Sequence, residues 1–374
     1  MRATGLAAGL ERELTRDLDA AGPQGTSAAV CVTVSEVTSP DRTSADALPR
    51  VTLRDEAAEL EAKFVAGANM LCCSLRHRGV ELLAQNAGVE AYVGRGKTMG
   101  IPLLYPWANR LAGFRYAAAG SEVQVPHDTT RVALDGNGLP IHGLVGGRLR
   151  WELEPRGADV PGTASGHSVK AGAFGSSGGV APGMAGDTLA ARLRFDESLP
   201  PELFAVFPFR HEVRYRTRLG GGELEIEIEV HAVDRTPVAF GFHPYLLPPG
   251  EPRERWRVTL PAMRRLELDA RQIPTGVERA LPEQAFALDG RAYDDGFALL
   301  GQPTRFAVAG GGRNLAIELR EGYRYAQVYA PLDRACICFE PMTAPADALC
   351  SGAGLTVLAP GESHRARFAL VVSA

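Results

Sequence analysis

From Val51 onward the chain alternates apolar and polar residues in short runs, the period-two pattern of strands with one buried face. The clearest case is HEVRYRTRLGGGELEIEIEV. Val213, Tyr215, Thr217 and Leu219 alternate with charged residues, three glycines follow, and then Leu224, Ile226, Ile228 and Val230 alternate with glutamates. This predicts two antiparallel strands joined by a glycine turn. Similar runs at WRVTL, RRLELD, RNLAIELR, YAQVYAP, ACICFEP, GLTVLAP and HRARFALVV are separated by Gly/Pro turns. Many short strands, few short helices and no βαβ rhythm predict an all-β fold, a large antiparallel β-sandwich.

Two segments break the rhythm. Leu6, Leu10, Leu14 and Leu18 fall at helical spacing among charged residues, and the polar stretch after them reads as a linker. Residues 1–48 are therefore expected to be an N-terminal appendage, and 49–374 a single sandwich domain. Between Gly157 and Gly186 most residues are Gly, Ala, Ser or Pro, too few apolar groups to order the segment. The reading here is a flexible insertion between the strands WELEP and AARLRF, which loop-closure entropy tolerates at low cost.

Composition narrows the function classes. A chain of 374 residues with 45% hydrophobic and 22% charged residues can bury a full core. Its net charge of −4, without a basic run, gives no footprint for nucleic acid or an anionic membrane. No apolar stretch of about 18 residues is present, and charge interrupts the N-terminal apolar stretch after Leu10, too early for a secretory signal. A cytoplasmic protein is expected. Cys31, Cys72, Cys73, Cys336, Cys338 and Cys350 form no C-x-x-C pair, so buried thiols are expected and no metal site. There is no H-E-x-x-H, no Walker A loop and no G-x-S-x-G elbow.

Chemistry concentrates in four islands: GIPLLYPWANRLAG, NGLPIHGLVG, FGFHPYLLPPG, and YAQVYAP with ICFEPMTAPADAL. They set Asn109, Arg110, His142, His243, Gln327 and Glu340 among aromatics, Gly and Pro, where burying a polar group is costly unless it has a use. His142 precedes a glycine that admits close approach of backbone or ligand, yet a core histidine bonded to a carbonyl fits the same pattern. His243 precedes a proline that forbids it the helical region, which also suits a structural turn. Glu340 ends an apolar strand. Together a carboxylate and two histidines are the set from which acid–base sites are built, with Glu as base and imidazolium as acid on their ordinary pKa values. Trp107 and Tyr245 offer aromatic faces to a ligand; Trp107 fits the core equally well.

The islands GIPLLYPWANR, NGLPIHGL, FGFHPY, DDGF and CFEPMTAPADA resemble, in order, the signatures of the aldose 1-epimerase (galactose mutarotase) family, over roughly residues 50 to 372. The resemblance implies a single mutarotase-like sandwich, no cofactor, and interconversion of the α and β anomers of free aldoses. Glu340 would be the general base at the sugar O1 hydroxyl and His243 the general acid at the ring oxygen. Asn109, Arg110, His142, Asp294 and Gln327 would bind the sugar. Which carboxylate of Asp294–Asp295 faces it is left open, since adjacent strand residues point oppositely, and Asp294 is the choice made here. The alternatives are an epimerase of phosphorylated hexoses, which needs more basic groups than Arg110 alone, and a non-catalytic sugar-binding sandwich. The sugar and the oligomeric state are not legible.

Overall fold

A Gly221–Gly222 turn, with both glycines at positive φ (67° and 80°), joins the strands His211–Gly220 and Glu223–Ala232 in unbroken antiparallel register. Their alternate residues Val213, Tyr215, Leu219, Leu224, Ile226 and Ile228 are wholly buried, as the alternation predicts. The structure is a computed structural model describing residues 48–127, 132–155 and 187–374, all within one unit spanning Asp41–Ala374. The expected N-terminal helix with its linker, and the insertion at 157–186, lie outside the described residues.

This hairpin sits in a nine-stranded sheet that also holds Asp187–Phe195, Ser363–Ser373, Arg313–Glu321 and Thr304–Gly310. Glu152–Leu153 pairs antiparallel with Asp187–Phe195 at one edge of this sheet. A second sheet runs, in spatial order, Pro274–Leu281, Met263–Leu268, Tyr293–Leu299, Tyr325–Ala330, Ile337–Met342, Gly241–Phe242 and Leu103–Leu104, with Tyr245–Leu246 also paired to Ile337–Met342. The sheets meet through one apolar core. Phe242 of the second packs on Phe368 of the first at 5.0 Å between ring centroids, and Phe339 on Phe306 at 5.4 Å. Burying such rings is the main stabilising contribution of a sandwich core. Every strand run that the alternation predicts is present, and the result is the expected sandwich.

Two elements depart from that pattern. A helix, Gly88–Arg95, interrupts the strands; it buries Ala91 and Tyr92 and stops at Gly96 in the left-handed conformation. Trp107 is 1% exposed within the main core cluster, so it is a packing residue and offers no face to a ligand. Among the described cysteines Cys72, Cys73, Cys336 and Cys338 are buried as expected, Cys350 is only partly buried, and all five are free.

Candidate active site

Direct cross-strand partners in an antiparallel sheet share a face. Glu340 is opposite Gln327, Gln327 is opposite Gly296, and Asp294 is opposite Tyr329. Asp294, Gln327, Tyr329 and Glu340 therefore project from the outer face of the second sheet, away from the core that holds Phe297, Val328 and Phe339. Asp295 falls on the other phase and pairs with Arg265 at 2.5 Å. Register thus separates the two aspartates that composition could not.

His243 lies between the short strands Gly241–Phe242 and Tyr245–Leu246, both held against the Glu340 strand. Its Nε2 is 3.2 Å from Glu340 Oε1. The imidazole is gripped on one face by Tyr245, stacked at 4.2 Å and 8°, and edge-on by Tyr329 at 5.7 Å and His142 at 5.6 Å. The Tyr245 hydroxyl, 3.4 Å from the same Nε2, shares a 2.6 Å hydrogen bond with Thr98 Oγ1. His243 is 5% and Glu340 2% exposed.

Two loops complete the site. Asn109 and His142 both adopt left-handed backbone (φ 57° and 63°), and the His142 N–H donates to the Asn109 carbonyl at 2.9 Å. Non-glycine residues held there carry strain that the surroundings must sustain, a frequent feature of functional sites. Gly143 shows why its neighbour can be placed so: at φ 62°, a Cβ on it would lie 2.4 Å from the Tyr105 carbonyl oxygen. The glycine serves a close approach of backbone to backbone.

Each of the three Arg110 nitrogens has a protein partner, which leaves one N–H on each terminal nitrogen. Its Nε donates to Asp135 Oδ2 at 2.8 Å, one terminal nitrogen to Asn109 Oδ1 at 3.0 Å, and the other to Asp294 Oδ2 at 3.1 Å. Gln327 donates to the remaining Asp294 oxygen at 2.6 Å. All seven residues singled out from the sequence therefore gather in one region. Asp135, Tyr245 and Tyr329 take part as well. Asp135 escaped notice because the run DGNG reads as a turn, which it also is: its Oδ1 accepts the Asn137 and Leu139 N–H groups.

Burial governs the electrostatics. Loss of water pushes the Glu340 carboxyl well above the usual carboxylate range, the Asp294 charge adds to this, and Arg110 partly offsets it. The same loss of water holds His243 well below the usual imidazole range, with His142 adding to it. His142 is pushed down to about 3 by burial and then by the Arg110 charge. Both shifts favour the uncharged forms of the two groups, the protonated carboxyl and the neutral imidazole. Glu340 Oε2, His243 Nδ1 and His142 Nδ1 have no partner although buried. Orphaned polar atoms of this kind call for a bound ligand or water to satisfy them. Among the described residues no cluster of three or more His, Cys, Asp or Glu side chains is arranged to hold a metal ion.

Residues 186–370 match the family model of aldose 1-epimerase. An uncharacterized protein of Escherichia coli K12, YihR, is 25% identical over 275 residues, 71% of this chain and 77% of that protein. Among solved structures, a galactose mutarotase-like protein of Clostridium acetobutylicum superposes with a TM-score of 0.68 at 16% identity, covering 87% of this chain and 98% of that one. The Slr1438 protein of Synechocystis sp. PCC 6803 does so with 0.63 at 21% identity, covering 91% and 99%. At such identities the solved structures speak to the fold alone, which is that of galactose mutarotase-like sandwiches. The matched residues include His243, Asp294, Gln327 and Glu340, while Asn109, Arg110 and His142 come to them from the unmatched half. Just under half of the chain thus matches the aldose 1-epimerase family, and its fold is that of galactose mutarotase-like sandwiches.

Proposed function

We propose that the protein is an aldose 1-epimerase acting on free, neutral aldohexoses, with Glu340 as general base and His243 as general acid. The observation that carries this reading is the buried Glu340–His243 contact at 3.2 Å, ringed by hydrogen-bonding groups. The match of residues 186–370 to the aldose 1-epimerase family supports a sugar substrate.

The pair holds one proton, so in either tautomer it contains one acid and one base. A sugar hydroxyl donating to the unpartnered Glu340 Oε2 replaces some of the lost solvation and favours the carboxylate–imidazolium form. From that form the carboxylate takes the O1 proton. The C1–O5 bond then breaks as the C1–O1 carbonyl forms, and O5 receives the proton from His243. Rotation about C1–C2 turns the other carbonyl face to O5, and closure returns both protons. Asp294, Gln327, Asn109, Arg110 and His142 would orient the remaining hydroxyls, with Tyr245 and Tyr329 holding the imidazole. Arg110 is matched by two carboxylates and so offers a phosphate little attraction, which favours neutral sugars over phosphorylated ones.

Polarimetry of freshly dissolved α-D-glucose, α-D-galactose and glucose 6-phosphate tests the reading. Acceleration of one or both free sugars, above any on the phosphate, is expected. A folded protein that binds these sugars without accelerating their exchange would instead be a sugar-binding module.

A further inference from the structure

Cys338 lies in the strand Ile337–Met342 and Cys336 directly before it, two residues apart and in phase with Glu340. Both are wholly buried in a small cluster with Ala84 and Tyr245, against which Leu247 and Tyr329 pack. Neither takes part in the chemistry proposed above, and each thiol is the other's hydrogen-bonding neighbour. The remaining described thiols are not paired in this way. Cys72 and Cys73 are adjacent on one strand, so they point to opposite faces and belong to separate core clusters, while Cys350 donates to the Arg115 carbonyl.

A buried cation lies near the pair. Arg253 is 7% exposed, donates to the carbonyls of Asp289, Arg291 and Ala330, keeps Nε without a partner, and meets no carboxylate among the described residues. A guanidinium out of water without a counter-charge is costly. Its charge reaches Cys336. The hydrogen bond from Cys338 holds the Cys336 thiol below its ordinary range despite burial, with Arg334 and Arg253 adding to this, while burial pushes Cys338 well above that range. Arg334 already faces Asp333, which leaves Arg253 as the cation in want of an anion.

Two thiols are too few for the tetrahedral shell of zinc. A disulfide also fits poorly: residues two apart on an extended strand have Cα atoms about 6.6 Å apart, at the far end of the roughly 4.4–6.8 Å that a disulfide spans. An ion between the sulfurs adds an atom to the link and removes that squeeze. Thiolate sulfur is the donor that selects soft cuprous ion over harder metals.

We propose that Cys336 and Cys338 form a two-thiolate site for cuprous ion, and that its occupation slows the enzyme. Both S–H bonds give way to S–Cu bonds, two protons leave to solvent, and copper stays Cu(I) throughout. The complex carries one negative charge, which Arg253 answers. The way in lies under the exposed residues 332–335, next to Cys336. Cys338 is directly opposite Tyr245 on one side and Tyr329 on the other, the two rings that grip His243. An ion on its sulfur presses on that grip, and shifting a catalytic group by about 1 Å can cost about 10²-fold. The slowing rests on the epimerase reading; the binding does not.

Binding is read in the absence of air from the loss of colour as protein withdraws Cu(I) from bicinchoninate, with wild type, Cys336→Ala and Cys338→Ala. Wild type is expected to take up one ion per chain more than either variant. Anomer exchange of glucose is then followed by NMR before and after loading. Loaded wild type should be about tenfold slower, and either variant given the same copper should stay within about twofold of its unloaded rate. Two variants guard against one that fails to fold. Equal uptake by all three proteins would overturn the site. Uptake that needs the pair but leaves exchange unchanged, or copper that slows the variants as much as wild type, would overturn the slowing. No acceleration of glucose exchange by unloaded wild type would overturn the epimerase reading and the slowing with it, while uptake still decides the site.

Discussion

The two sheets share one core but treat the polar groups of their outer faces differently. On the larger sheet, Arg216 meets Glu227 at 3.0 Å directly across the strand pair, and Arg320 reaches Glu225 at 2.6 Å and Glu223 at 2.5 Å. Arg192 and Arg367 leave Nε unpaired but still find carboxylates through their terminal nitrogens. On the smaller sheet, Glu340 and His243 are buried almost completely, face each other, and keep a polar atom each without a partner. A ladder of charges answered by its neighbours and wetted by solvent serves solubility and register. Buried polar groups left incomplete are costly and persist where a ligand completes them.

Histidines repeat the lesson at closer range. His211 is as buried as His243, but its Nδ1 meets the Phe209 carbonyl at 2.6 Å and its Nε2 meets the Tyr105 hydroxyl. Both nitrogens are used, and His211 is part of the core.

The comparison is broken most severely at the pair itself. His243→Asn should lower kcat by about 10²–10⁴-fold, the usual contribution of a positioned acid or base, with an unchanged circular dichroism spectrum. Wild-type kcat/KM should be bell-shaped in pH. The active pair holds one proton, so the acid limb marks a second proton reaching His243 and lies below the ordinary imidazole value. The alkaline limb marks loss of the last proton and lies above the ordinary carboxylate value. Asp294→Asn should then move the alkaline limb to lower pH, because the Asp294 charge adds to burial in holding the Glu340 proton. An unmoved limb would remove Asp294 from that role.

Two smaller effects sharpen the other side. His211 is held down to about 4 by burial, so between pH 6.5 and 4 the unfolded chain binds a proton there that the folded chain refuses. Stability from this group is complete above pH 6.5 and falls as pH drops through that window, by at most about 3 kcal/mol. His211→Asn should therefore flatten the decline in urea midpoint between pH 7 and 5. On the larger sheet, Arg320→Ala should cost about 0.5–1 kcal/mol of stability in urea titration and leave turnover unaltered.

Much of this was legible in the sequence, for physical reasons. Period-two alternation reports which strand face is wet, so the hairpin from His211 to Ala232 and the sandwich follow from it directly. Polar residues set among Pro, Gly and aromatics marked the loops that converge on Glu340. What alternation cannot carry is register between strands, which decides that Asp294 and not Asp295 shares a face with Gln327. It cannot carry burial of a single carboxyl either, so the raised proton affinity of Glu340 and the lowered one of His243 emerge only once the sheets and loops are assembled. Asp135 and Tyr329 were hidden because a turn motif and a strand alternation already accounted for them.

The central claim is that the shared proton of Glu340 and His243 performs the chemistry. Its most direct test is the anomer exchange rate of Glu340→Gln on a sugar that wild type accelerates, with thermal unfolding compared between the two. The glutamine keeps the shape and a hydrogen bond but cannot take a proton. The account predicts exchange near the uncatalysed rate from a protein that unfolds at or above the wild-type temperature. Near-wild-type exchange from that variant would contradict it.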